Sequence, residues 1–303
     1  MRVDPSYITN LVGALDETQA NQQQLSAQLA SGMKITSIGQ DPAAAAENVL
    51  LLNQIQQDDS FTRSSNLVTG RLQVADSALG AVVSQLTQAI SLATSANNGT
   101  MNASDVKSIA NQLSGILDEV QSLANTSYQG QYIFAGGETG VAPFSTSTAT
   151  SPGETNYAGD ENVNYLELPN GQKIQLNLPG DQIFLGNGAN SVFGALNALV
   201  ADYASGTVNT SQAVSDTEAL STSLSFVSQQ RVTIDNSLTQ LSAASSAVTS
   251  EQTQLTAAQT NLMQADIPTV ATQLAMAETQ QTALESVIAQ LESPANSLFS
   301  KMQ

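Results

Sequence analysis

ITNLVGALDETQANQQQLSAQLASG, residues 8–32, is the stretch on which the reading of the fold turns. It sets Ile8, Leu11, Leu15, Leu25 and Leu29 at alternating steps of three and four, with Thr18, Gln22 and Gly32 at the remaining seam positions. Such spacing is a heptad stripe. Near the other terminus Ile267, Val270, Leu274, Ala277, Gln281, Leu284, Ile288, Leu291, Ala295 and Leu298 keep the same rhythm, so each end carries an apolar seam broken by one glutamine. A helix of ~30 residues is roughly 45 Å long, and it persists in water only when its apolar face is covered. The period fixes the packing and leaves the partner open: the two ends cover one another, or they cover other copies.

Between the ends the chain alternates breaks and long helices. After Gly32 the run Ile35, Ser37, Ile38, Gly39, Gln40 interrupts the stripe, and Asp41-Pro42 restarts a helix, Asp41 as N-cap and Pro42 at the first helical position. From Phe61 a seam of Val68, Leu72, Ala75, Leu79, Val82, Leu86, Ala89 and Ala93 runs to Asn97-Asn98-Gly99. A shorter helix starting near Ser104 carries Val106, Ile109, Leu113, Ile116, Val120 and Leu123, and the pair is expected to be antiparallel.

At Gly130 the period changes to short strands and turns. QYIFAGG (residues 131–137) reads as a strand and a glycine turn, Pro143-Phe144 precedes a Ser/Thr-rich loop over residues 145–155, and Asn170-Gly171 predicts a type I′ hairpin between residues 162–168 and 173–178. Gly180-Asp181 and Gly186 to Gly188 read as turns, and Val192, Leu196, Leu199, Val200 and Tyr203 as one short helix. From about Thr210, Leu220, Val227, Ile234, Leu241, Val248, Leu255 and Leu262 repeat every seven residues up to Asp266, which caps a restart with Pro268 in its first turn. The expected fold is mainly α with a β insertion: an elongated bundle of long helices, the N- and C-terminal helices paired as a coiled coil, and a small β-rich domain at the far end. In domain terms, residues 1–40 and 266–303 are terminal coiled-coil helices, 41–129 and 210–265 a helical bundle, and 130–209 the inserted β-rich domain.

Composition narrows the function. With no Cys, His or Trp, the chain has no thiolate zinc site, imidazole base or Ser-His-Asp system to offer. Its 26 acidic and 8 basic residues give a net charge of -18, which repels a phosphate backbone or an anionic membrane, so neither nucleic acid nor a membrane is expected as a partner. No run of about 18 apolar residues is present, and the first residues lack the basic and apolar regions of a cleaved secretory signal. Glu138, Glu154 and Asp160-Glu161 are the acids of the β region; a carboxylate glycosidase would need two of them about 5–9 Å apart. Without aromatic platforms or basic neighbours, solvated loop acids are the commoner case. Asp160-Glu161-Asn162 lacks the spacing of a calcium loop, and Gly186-Asn187-Gly188 that of a dinucleotide fingerprint. No catalytic, metal or cofactor residue is therefore assigned, and the expected class is a non-enzyme.

LASGMKITSIGQDPAAAAENVL (residues 29–50), NTSYQGQYIFAGGETGVAPF (residues 125–144), the Tyr157-Ala158-Gly159-Asp160 and Pro179 to Phe184 stretches, and DIPTVATQLAMAETQQTALESVIAQLESPANSLF (residues 266–299) resemble the flagellin family along the whole chain. The middle segments resemble the subunits that join hook to filament more than the filament subunit itself. Where the family often has paired Asp before the proline, this chain has Gln40-Asp41. The resemblance implies an extracellular structural protein of the bacterial flagellum, exported through the type III channel. It also implies partners: copies of itself in a helical ring, hook-associated protein 1, flagellin, and a cytoplasmic export chaperone. The residues expected to form the assembly interface are Ile8, Leu11, Leu15, Leu25, Leu29, Ile267, Val270, Leu274, Leu284, Ile288, Leu291 and Leu298, with Asp41, Pro42, Asp266 and Pro268 setting the helix restarts. Rival readings are a filament-forming flagellin, a glycosidase using the β-region acids, and a receptor-like cytoplasmic helical hairpin.

Overall fold

The computed structural model of the chain describes residues 5–98, 101–146, 155–168, 171–186 and 191–292. These form α1 (Pro5–Ser31), α2 (Pro42–Ala96), α3 (Ala103–Ala124), α4 (Val192–Ala204), α5 (Thr210–Met263) and α6 (Ile267–Glu292). Between α3 and α4 lie β1 (Ser127–Tyr128), β2 (Gln131–Tyr132), β3 (Phe144–Thr146), β4 (Thr155–Tyr157), β5 (Tyr165–Glu167) and β6 (Lys173–Gln175). The chain divides into two compact units, residues 60–249 and residues 1–59 with 250–303. It is mainly α with a small β insertion.

The unit of residues 60–249 holds a continuous core. On α2 the seam from Val68 to Ala93 is buried at every expected position, and on α5 Leu220, Val227, Ile234, Leu241 and Val248 are all at most 1 % exposed. A Leu or Ile buried to this degree contributes about 1.5–3 kcal/mol before ordering entropy is subtracted. The third helix begins one residue earlier than expected because Asn102 is its cap, its Oδ1 accepting from Ser104 N and Asp105 N at 2.9 Å. Both α2 and α3 contribute to this core, but the close backbone neighbour of α3 is α4. The Tyr203 hydroxyl of α4 lies 3.2 Å from Ala93 O and 3.0 Å from Asn97 Oδ1, tying that helix to the end of α2. Arg231 of α5 grips Asp76 of α2 with Nε–Oδ1 2.8 Å and Nη2–Oδ2 3.2 Å. Along α5 the hydroxyls of Thr217, Thr222, Ser225, Ser228, Thr233 and Thr239 each bond the carbonyl four residues earlier.

The β region corrects several expectations. Its strands form three separate antiparallel pairs, β1–β2, β3–β4 and β5–β6. A type I′ turn absent from the sequence expectations sits at Gln129-Gly130, where φ is +51° and +79° and Ser127 opposes Tyr132. In the β5–β6 hairpin Leu168 N donates to Gln172 O at 2.7 Å and Gly171 N to Leu168 O at 2.9 Å, with Gly171 at φ +80°. The expected hairpin is thus present, with Gly171 left-handed; Pro169 and Asn170, on which the expected turn type rests, lie outside the described residues. Residues 145, 146 and 155, read as loop, are strand: Phe144, Ser145 and Thr146 oppose Tyr157, Asn156 and Thr155. Phe144 anchors that pair by packing on Tyr157, Phe184 and Phe193, with centroids 5.2–5.3 Å apart. Residues 181–185 form a π-helix, with Ile183 and Phe184 buried, before Gly186 takes a positive φ of +54°. Asn187 and Gly188, read as the rest of that turn, lie outside the described residues.

In the other unit α1 and α6 pack side by side. Gly32 O accepts from Ala265 N at 2.9 Å and Lys34 N donates to Met263 O at 2.6 Å, so α1 ends where α6 begins and the two helices run antiparallel. Between the alternatives left open by the heptad period, the terminal seams meet within one chain.

Candidate assembly surface

The helix restarts are built as their residue types dictate. Asp41 Oδ1 accepts from Ala44 N at 3.0 Å, and Pro42 is the first residue of α2. Gln40 adds what a second aspartate would not: its Oε1 takes Thr36 N at 2.8 Å and Thr36 Oγ1 at 3.2 Å, closing the bend before the cap. At the other restart Asp266 Oδ2 accepts from Thr269 Oγ1 at 2.7 Å and Asp266 O from Val270 N at 2.8 Å, with Pro268 in the first turn of α6.

Of the expected interface residues, Leu25 and Val270 are buried at 6 %, in a cluster with Ala265, Ala277 and half-buried Leu274. Leu11, Leu15, Leu284 and Ile288 are half-buried, and Leu29 and Ile267 are exposed. The side chains of Ile8 and Leu291, and all of Leu298, lie outside the described residues. The α1–α6 contact thus buries a few seam positions fully and leaves much of both stripes in water.

More apolar surface in this unit escaped the heptad reading. Ile38 is 75 % exposed, Leu50 69 % and Val49 55 %, and Met276 is 66 % exposed on α6. The signal was present as the run Val49-Leu50-Leu51-Leu52, which has more apolar residues than one helix face can bury. The same unit holds Asp58, whose Oδ2 is shielded without a partner; burial, then Glu251 and Asp59, push its carboxyl above the usual range.

The acids of the β region have structural work. Asp160 accepts the Gly137 N–H through Oδ1 and Asn162 Nδ2 through Oδ2, and the Gly137 bond is the main cause that holds its carboxyl below the usual range. The Tyr157 hydroxyl sits 3.1 Å from Phe134 O and 3.0 Å from Asp160 O, and burial first of all pushes it up to about 12. Gly180 N donates to Phe134 O at 2.8 Å. These bonds knit the three stretches YIFAGG, YAGD and PGDQIF into one clasp. Glu138 and Glu161 are exposed, Glu154 lies outside the described residues, and among the described residues no group of three or more metal-ligating side chains converges.

Residues 8–139 match the family model of the bacterial flagellin N-terminal helical region. The chain is 30 % identical over 187 residues to flagellar hook-associated protein 3 of Salmonella typhimurium, covering 61 % of this chain and 57 % of that protein. To flagellar hook-associated protein 3 of Escherichia coli it is 28 % identical over 179 residues, 59 % of this chain and 54 % of that one. The matched part therefore spans little more than half the length of these relatives. Among solved structures, a Vibrio parahaemolyticus chain assigned as a flagellar hook-associated protein superposes with TM-score 0.67 at 17 % identity, over 74 % of this chain and 100 % of that one. The flagellar hook-associated protein 3 of Legionella pneumophila superposes with TM-score 0.61 at 14 % identity, over 70 % and 98 %. The fold is shared with both; in sequence, residues 8–139 are similar to the flagellin N-terminal helical region, and the chain is similar to flagellar hook-associated protein 3 over about three fifths of its length.

Proposed function

We propose that this protein is a structural subunit of the bacterial flagellum, placed outside the cell between hook and filament and acting by geometry rather than by catalysis. The observation that carries the reading is the half-covered terminal helix pair. α1 and α6 bury Leu25, Val270 and Ala277 against each other while Leu11, Leu15, Leu284 and Ile288 stay half-buried and Leu29 and Ile267 exposed. Neighbouring copies that cover these stripes remove apolar area from water, at about 25 cal/mol per Å². Hook-associated protein 1 on one side and flagellin on the other are the proposed neighbours, and a type III export chaperone the proposed cytoplasmic partner. The twofold likeness, to a flagellin helical region and to hook-associated protein 3, supports this placement.

Immunogold labelling of sheared flagella with antibody against residues 130–209 tests it. One spot at the junction of hook and filament is the expected result. Label along the entire filament would replace the reading with a flagellin-type filament subunit, and no label would remove the protein from the appendage.

A further inference from the structure

Arg71 of α2 is a half-buried cation without an anion among the described residues. Its Nη2 reaches only two carbonyls, Tyr132 O at 3.5 Å and Ile133 O at 3.4 Å, and its Nε is shielded with no partner. Burial alone lowers the pKa of the guanidinium, with no carboxylate contribution beside it. The contrast with Arg231 is plain, since that guanidinium is held in a fork by Asp76. In a chain of 26 acids and 8 bases, an arginine left in this state calls for an anion from elsewhere.

Beside Arg71 is a cavity of about 250 Å³, with Leu67, Tyr128 and Leu176 as its apolar walls and Gln129 and Gln131 at its edge. Its walls are set by the backbone. Gly70 leaves the room that the Tyr128 ring occupies, since a Cβ there would collide with the Tyr128 hydroxyl. The left-handed turn at Gln129 and Gly130 fixes the two glutamines on either side of the hairpin tip. The charge of Arg71 at the cavity wall attracts a carboxylate, side-chain amides add neutral donors, and apolar walls favour a short hydrocarbon body over a phosphate or a hydrated ion.

We propose that this cavity is a binding site for a carboxylate carrying a short apolar body. Two sources supply that chemistry: a free small monocarboxylic acid, or an Asp or Glu side chain on an adjoining copy of this acidic chain. The assignment does not depend on the flagellar reading.

The test is equilibrium dialysis of the full chain against benzoate, with benzamide as the neutral control. Saturable binding about tenfold tighter than benzamide is expected. Leu67→Glu puts a carboxylate four residues before Arg71, the favourable orientation on a helix, and should abolish benzoate binding while melting about 1–2 °C above Leu67→Gln. Both variants alter an exposed position, so the fold is kept. Absence of saturable benzoate binding, or benzoate binding by Leu67→Glu equal to that of the unaltered chain, overturns the site. If saturating benzoate slows self-association in sedimentation, the natural occupant is a neighbouring copy's carboxylate; binding without that effect assigns a free acid.

Discussion

Asp160 takes the Gly137 N–H, and Asn162 adds a side-chain donor, so one surface carboxylate closes the clasp on which three stretches of sequence converge. Asp160→Ala should lower the melting temperature of the unit of residues 60–249 at neutral pH. Because the folded-state pKa is depressed, the contribution is present above the ordinary carboxylate range and is lost as pH falls through the folded value; the two proteins' melting curves should therefore converge in acid. Gly136 needs no such argument from charge: at φ +69°, with the Asp160 carbonyl filling the place where a Cβ would stand, Gly136→Ala forces the clasp open. Asp202 has the opposite sign. Burial first, then the Asp216 carboxyl, raises it to about 6, so the folded chain holds a proton there that the unfolded chain releases near pH 4. Stability from this pair falls as pH rises from about 4 to about 6 and is flat above. Asp202→Asn should remove that fall, measured as the difference in melting temperature from the unaltered chain between pH 4.5 and pH 7.

Helices were legible in the sequence wherever a stripe was long and strictly periodic. Leu79, Leu86, Leu220 and Leu241 were placed by spacing alone, and each is fully buried, because a seven-residue repeat over several turns admits one face only. The β region was less legible. The I′ turn at Gln129-Gly130 carried no signal because pairing of Ser127 with Tyr132 imposes positive φ on a glutamine, a residue type that rarely adopts it. The π-helix at 181–185 had no periodic signal, since burial of adjacent Ile183 and Phe184 depends on where Phe134 and Phe144 stand. Nor did spacing reveal Ile38 and Leu50, which fall off the heptad. At this scale Asp41→Ala should cost about 1 kcal/mol through loss of the Ala44 N–H partner, read from urea unfolding monitored by circular dichroism. Leu274→Asp or Leu15→Asp should abolish incorporation into flagella while leaving the core of residues 60–249 folded; incorporation at the normal level would take the seam out of the mechanism.

Across the molecule, burial is unevenly shared. Residues 60–249 hold a core that runs from Val68 to Leu241, whereas among the described residues of the unit built from the chain ends the buried cluster is small, around Leu25, Val270 and Ala277. Local opening follows burial. Limited proteolysis of the isolated protein should therefore cut within residues 1–59 and 250–303 before it cuts within residues 60–249, mapped by mass spectrometry of the fragments. Simultaneous loss of both units would show that their stabilities are not separate. A different property follows from the hydroxyls that line α5. Thr222, Ser225, Thr233 and Thr239 are exposed and already spend their protons on their own helix. A neighbour lying along that face finds few charges to grip and few hydroxyl protons free to hold it at one height. If the proposed assembly lays this face of α5 against a neighbouring copy, the contact it offers there is a bearing surface, one that lets the copy glide by a turn with few bonds to break.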